Sequence, residues 1–194
     1  ELNVAFASGV DPDPVLTLRD QYDLWRAQSA GIPDAVRSFV EPRPSVVPVA
    51  SASFTLDITA RDLDLNPAFI NVADVTASIA PGRPQIAQFV GATPIPDGVR
   101  LTLVPTGQIG AAPLTVRLAT ANAPSGTRAI ELLPRPTIRV GRTAADLATN
   151  GILDLTDIDT FINAFTAESD LADLDGDGDV DDRDVDVFIA AFAG

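Results

Sequence analysis

Between residues 46 and 140 apolar and polar positions alternate in short runs that break at proline and glycine. In the run from Phe54 to Ala60, Phe54, Leu56 and Ile58 fall on one face and the polar side chains on the other, the two-residue period of a half-buried strand. Similar runs predict strands over 70–79, 85–91, 99–104, 113–119 and 128–133. Pro96, Asp97 and Gly98 predict a hairpin turn ahead of the Val99 run. Short strands joined by Pro/Gly turns, with no long helical period among them, predict an immunoglobulin-like antiparallel β-sandwich over 46–142. The overall class expected is mainly β.

The first 45 residues form an arm and connecting segment. Leu2, Val4 and Phe6 alternate as a strand would, and the Asp-Pro-Asp-Pro stretch at 11–14 is stiff, extended linker material. Residues 17–29 fit two patterns: Leu16, Leu18, Tyr22 and Leu24 suit a strand face, whereas Leu18, Tyr22, Trp25 and Ser29 suit a helix capped by Thr17 and stopped by Gly31. From Ile32 to Val40 a short helix is expected.

Beyond residue 142 the chain repeats itself. Residues 146–165 align without gaps to 173–192 at an offset of 27, with 10 of 20 positions identical. This defines a duplicated module over 143–194. Phe161 and Phe165, like Phe188 and Phe192, stand at i and i+4, so each copy should end in a helix whose aromatics form a small shared core.

Composition narrows the chemistry. The 194 residues contain no His, Cys, Met or Lys, and all 13 basic residues are Arg. Ser-His and Cys-His catalysis, His- or Cys-ligated metals and Schiff-base lysines are therefore excluded. Carboxylate pairs remain, but nothing singles one out among Asp57, Asp62, Asp64, Asp74 and the rest, and the chain is expected not to be an enzyme. The net charge of −14 would repel nucleic acid, and no apolar run is long enough to insert in a membrane. A chain opening on Glu1 without an initiator methionine is expected to be a mature, exported product, secreted to the extracellular space or cell surface. The charge is also local. Residues 143–194 carry 14 acidic residues against Arg183 alone, a net of −13, which leaves −1 for 1–142, where 13 acidic residues face 12 arginines.

The concentrated acidity has a pattern. From Asp173 to Asp184, carboxylates occupy loop positions 1, 3, 5, 9 and 12, with Gly178 at position 6 and Val180 at position 8. A hard cation with six to eight oxygen ligands needs such a set, and the glycine lets the loop fold back around it. The expected calcium ligands are the side chains of Asp173, Asp175, Asp177 and Asp184 and the carbonyl of Asp179, with Asp181 acting directly or through water. In the first copy Asp146, Asn150, Asp154 and Asp157 match positions 1, 5, 9 and 12, and Ile152 offers its carbonyl at position 7. Ala148 replaces the ligand at position 3, so a weaker calcium site is expected there.

The tandem loop-helix pattern, with Asp rather than Glu at the last loop position and no long entering helix, resembles a type I dockerin over 143–194. The resemblance implies a small α-helical calcium module. It also implies cohesin recognition at loop positions 10 and 11, here Leu155 and Thr156, then Asp182 and Arg183; neither pair is the family's usual hydroxyl pair. The run SFTLDITARDLDL, followed by VRLTLVPTGQIGAAPLTVRLATA, resembles bacterial immunoglobulin-like domains of the IPT/TIG kind.

Two functions stay open. The first is a secreted, calcium-binding structural protein that self-associates head to tail into an extracellular fibre. Leu2, Val4 and Phe6 would add a strand to a neighbour's sheet, or the module would dock on a copy or on a cohesin-like protein. The second is a carbohydrate-binding or cell-surface adhesion module, with polysaccharide as a partner through Tyr22 and Trp25.

Overall fold

A computed structural model describes residues 31–40, 45–120 and 128–194. The expectations for Leu2, Val4, Phe6, Tyr22, Trp25 and the 17–29 segment lie outside the described residues. In chain order the strands are β1 (Phe39–Val40), β2 (Val47–Pro48), β3 (Phe54–Thr59), β4 (Thr76–Ile79), β5 (Ala87–Ile95), β6 (Gly98–Pro105), β7 (Gly110–Thr120), β8 (Arg128–Glu131) and β9 (Thr137–Gly141). Two helices follow, α1 (Leu155–Thr166) and α2 (Asp182–Ala193).

One sheet has the order β1-β3-β6-β5 and the other β2-β9-β7-β4, with β8 pairing the far half of β7. The first order is that of the A-B-E-D sheet of an immunoglobulin fold, and the second contains its G-F-C sheet. β1 pairs antiparallel with β3, whereas β2 pairs parallel with β9, so the first strand of the sandwich changes sheets part-way. Inward side chains of both sheets form one core, with Leu56, Ile58, Leu101, Leu103, Leu114, Val116 and Leu118 fully buried. Burial at each such position contributes about 1.5–3 kcal/mol. The alternation read from 54–60 accounts for this: Leu56 and Ile58 point inward, while Asp57 points outward and is clamped by Arg100 opposite it on β6, through two hydrogen bonds of 2.6 Å. The expected hairpin turn joins β5 to β6 at Pro96–Asp97, with Ile95 facing Gly98, and β5 runs on to Ile95, beyond the end at residue 91 expected of it.

Two expectations need correction, and one strand was not foreseen. The short helix expected up to Val40 is a single turn. The Asp34 carboxylate accepts the N–H groups of Val36 and Arg37, and the Ser38 hydroxyl then binds the backbone of Arg61 on both sides, pulling Phe39 and Val40 into the sheet. Within 70–79 only the last four residues form a strand. Asn71 caps a 3-10 turn at Val72–Asp74 by accepting the Ala73 N–H, which breaks the extended run. Strand β9 was hidden between Pro134, Pro136 and the repeat, although Ile138 and Val140 do alternate inward.

A second apolar cluster is formed by Ala145, Leu147, Phe161, Ala164, Ala172, Leu174 and Phe188. The Phe161 and Phe188 rings stack at 4.3 Å between centroids, as the expected shared aromatic core requires. Val46, immediately before β2, is buried in this cluster rather than between the sheets.

Candidate metal centre

Each copy of the repeat is built by the same local chemistry. The carboxylates of Asp146 and Asp173, at the first loop position, are buried and gather backbone N–H groups. Asp146 accepts those of Asn150 and Gly151 at 3.0 Å and Arg142 at 2.7 Å, and Asp173 accepts those of Gly176 at 2.8 Å and Gly178 at 3.2 Å. The last position closes the loop from the other end. Asp157 accepts the N–H groups of Ala148 and Asp154, and Asp184 accepts those of Leu174, Asp175 and Asp181.

Asp154 and Asp181, at position 9, each cap the following helix in a reciprocal capping box, which fixes where α1 and α2 begin. The backbone bends alike in both copies. Gly151 and Gly178 have φ of 83° and 96°, and the residues two before them, Thr149 and Gly176, have φ of 51° and 77°. The duplication seen in the residues is therefore a duplication of shape, and Thr149 is held in a conformation that a β-branched residue resists.

The two loops differ in their carboxylate sets. In the second, Asp173, Asp175 and Asp177 each offer an oxygen, and these atoms lie within 4.8 Å of one another; Asp173 is buried and the other two are exposed. Three carboxylates so placed can hold a metal ion, and an all-oxygen donor set suits a hard cation. Burial pushes the Asp173 carboxyl up; the N–H groups of Gly176 and Gly178 oppose this, and the negative charges of Asp184 and Asp175 add to it. The repulsion is the kind a cation relieves.

Asp184 is close by, but its oxygens face backbone N–H groups. Asp179 is exposed, with its N–H donated to Asp177. Among the described residues no other group of three or more acidic side chains gathers in this way, and the first loop, with Ala148 at position 3, forms none. There Asn150 accepts the Ile152 N–H at 2.8 Å, as Asp177 accepts that of Asp179 in the second loop.

Of the residues expected to meet a partner, the four within the described residues are on the surface. Leu155 is 76% exposed, and Thr156, Asp182 and Arg183 are exposed too, at the starts of α1 and α2. Arg183 lies 3.6 Å from Asp177, so it leans over the carboxylate group and offsets part of its charge. Sequence reading missed two further exposed apolar residues, Ile162 at 54% and Ile189 at 59%. They are equivalent positions of the two copies, and the 27-residue offset relates them.

Asp62 is 2% exposed and accepts the N–H groups of Gly31, Asp64 and Asn66 at 2.9–3.0 Å. Among the acidic residues weighed for catalysis, Asp57 and Asp62 thus have structural partners. No helix among the described residues is long and apolar enough to cross a membrane.

No protein-family model matches this chain, and no curated protein matches it. Among solved structures, that of the Yersinia pseudotuberculosis adhesin InvE is similar at 21% identity and a TM-score of 0.34, over 52% of this chain and 27% of that one. The chain thus spans about a quarter of the length of that adhesin.

Proposed function

We propose that this chain is a secreted, non-catalytic structural protein whose C-terminal repeat binds calcium and which assembles head to tail, through the 1–10 arm, the module or both, into an extracellular fibre. The observation that carries the calcium reading is the grouping of Asp173, Asp175 and Asp177 within 4.8 Å, in a loop closed by Asp184 and bent at Gly178. Hard oxygen donors at odd-numbered positions, followed directly by a capped helix, favour calcium over softer metals. Asp146, Asn150, Asp154 and Asp157, with the Ile152 carbonyl, would hold a second and weaker ion. Cysteine, histidine and lysine are all missing, so cross-linking by disulfide or lysine isopeptide bonds is closed to the chain, and its assembly would be non-covalent.

Isothermal titration with calcium tests the first part: about two ions per chain with distinct affinities are expected, and no heat of binding would end the reading. Negative-stain microscopy with calcium and with a chelator tests the second. A monodisperse monomer in calcium would sink the fibre. An adhesion module that docks on a cohesin-like partner is the second reading, and the exposed apolar positions Leu155, Ile162 and Ile189 on α1 and α2 favour it. A stoichiometric complex with a separate partner, and no filaments, would decide for it.

A further inference from the structure

The two loops of the repeat are also its points of contact with the sandwich. At the second loop, the Ser45 N–H donates to the backbone carbonyl of Asp173, the first residue of the carboxylate group, at 3.3 Å. One residue on, Val46 is buried among Leu147, Phe161, Leu174 and Phe188 of the module. The next two residues are β2, paired with Val140 and Gly141 of β9, and Val49 donates its N–H to Gly141 at 2.8 Å.

At the first loop, Arg142 donates its N–H to Asp146. Gly141 is wedged so closely that an added Cβ would stand 2.8 Å from Val46 Cγ1 and 2.9 Å from the Asp146 Cβ. Gly151 in turn faces Ile109, from the turn between β6 and β7, so that a Cβ there would press on its Cδ1 at 3.2 Å. A stretch of five residues, 45–49, therefore links the carboxylate loop, the module's apolar core and the edge of the second sheet.

We infer that the loops act as a calcium-dependent clasp, in which cation binding in the module and the seating of residues 45–49 against module and β9 are one linked equilibrium. This rests on the calcium reading proposed above. Its physical basis is short. Without a cation, the mutual repulsion of Asp173, Asp175 and Asp177 opposes the closed loop. An ion that binds only the closed loop stabilises whatever the closed loop holds, including the Ser45 hydrogen bond and the pocket for Val46. Linkage is reciprocal, so loosening the clasp at Val46 must weaken calcium binding, by at most the factor by which calcium tightens the clasp. The consequence for a fibre is stiffness: with calcium the sandwich and module are one body, and without it they are joined by a looser hinge.

The experiment uses the full chain and calcium itself, with titration calorimetry for affinity and residue-resolved amide hydrogen exchange for the clasp. Calcium should slow exchange at Ser45 and Val49 about tenfold or more, and Val46→Ala should weaken calcium binding about fivefold or more. Asp175→Ala, which removes an exposed ligand without touching the clasp, should leave Ser45 and Val49 exchanging at the calcium-free rate. If Val46→Ala does not fold, Val46→Thr, which keeps the shape of the side chain but sets a hydroxyl in the module's apolar cluster, takes its place with the same expectation. Calcium binding with unchanged exchange at Ser45 and Val49, or undiminished affinity in the folded variant, overturns the clasp and leaves the calcium reading intact. Absence of any binding overturns both.

Discussion

Asp62 shows how a single carboxylate can hold a surface turn together. It accepts the N–H groups of Gly31, Asp64 and Asn66 while almost wholly buried, and Asn66 adds its side-chain amide at 3.4 Å. Burial acts to raise its pKa, but the donors from Gly31, Asn66 and Asp64 together prevail, and the carboxyl sits below its ordinary value of 3.8. A depressed folded value means that its contribution is full above the unfolded value and is lost as pH falls through the folded one. Asp62→Ala should cost about 2–4 kcal/mol at pH 7, because buried N–H groups lose their acceptor. The deficit relative to wild type should shrink below about pH 4, as denaturant titrations at pH 7 and pH 3 would register.

Thr149 is the opposite case, a residue at φ 51° where the second copy of the repeat has Gly176. Asn tolerates that conformation better than a β-branched side chain, so Thr149→Asn should raise the stability of the module by about 1 kcal/mol. A lowered thermal midpoint would show that the Thr side chain contributes more than its backbone strain costs.

Helices α1 and α2 are too short to persist alone and depend on the face they share. Phe188 stacks on Phe161 and contacts Phe192 at 5.6 Å, so Phe188→Ala should remove about 3–4 kcal/mol, whereas Ile189→Ala on the exposed side should stay within about 0.5 kcal/mol. Equal effects in chemical denaturation would mean that the helices pack by another face. This pairing was legible in the chain because 3.6-residue periodicity and a 27-residue duplication reinforce each other. The strand positions of Phe54, Leu56 and Ile58 were legible for a similar reason: their alternation is strict and bounded by turns.

What stayed hidden depended on partners far away in sequence. Phe39 and Val40 are strand because Ser38 meets Arg61, 23 residues on, and Val46 is a module residue because it is buried in the same apolar cluster as Leu147 and Phe188. Neither relation leaves a local period. Edge protection is a further property visible only in the assembled sheet. β5 pairs with β6 alone among the described strands, its register slips between Phe89 and Gly91, and Pro94 withholds a donor near its end.

At the scale of the whole molecule the charge is divided, with a net of −13 on residues 143–194 and −1 on the remainder. The nearly neutral sandwich can approach a copy of itself closely, whereas two modules repel each other unless their charge is reduced. In a head-to-tail contact unlike surfaces meet, so a module faces something other than a module, and that arrangement avoids the largest repulsion available to this chain. The same imbalance should make the cation-free module sensitive to simple salt. Raising ionic strength from 0.01 M to 0.15 M shortens the screening length from about 30 Å to about 8 Å, so that repulsion between exposed carboxylates farther apart than that is largely screened. In chelator, the unfolding midpoint of the module should therefore rise with sodium chloride, by about 4–8 °C for each kcal/mol of repulsion relieved. If the loops bind calcium as proposed, the dependence should flatten in calcium, because bound ions would neutralise the carboxylates of Asp173, Asp175 and Asp177. Calorimetric scans at the two salt concentrations, with and without calcium, separate the cases. Parallel salt dependence in all conditions would mean that the acidic loops keep their shape by their backbone hydrogen bonds alone, without help from a cation.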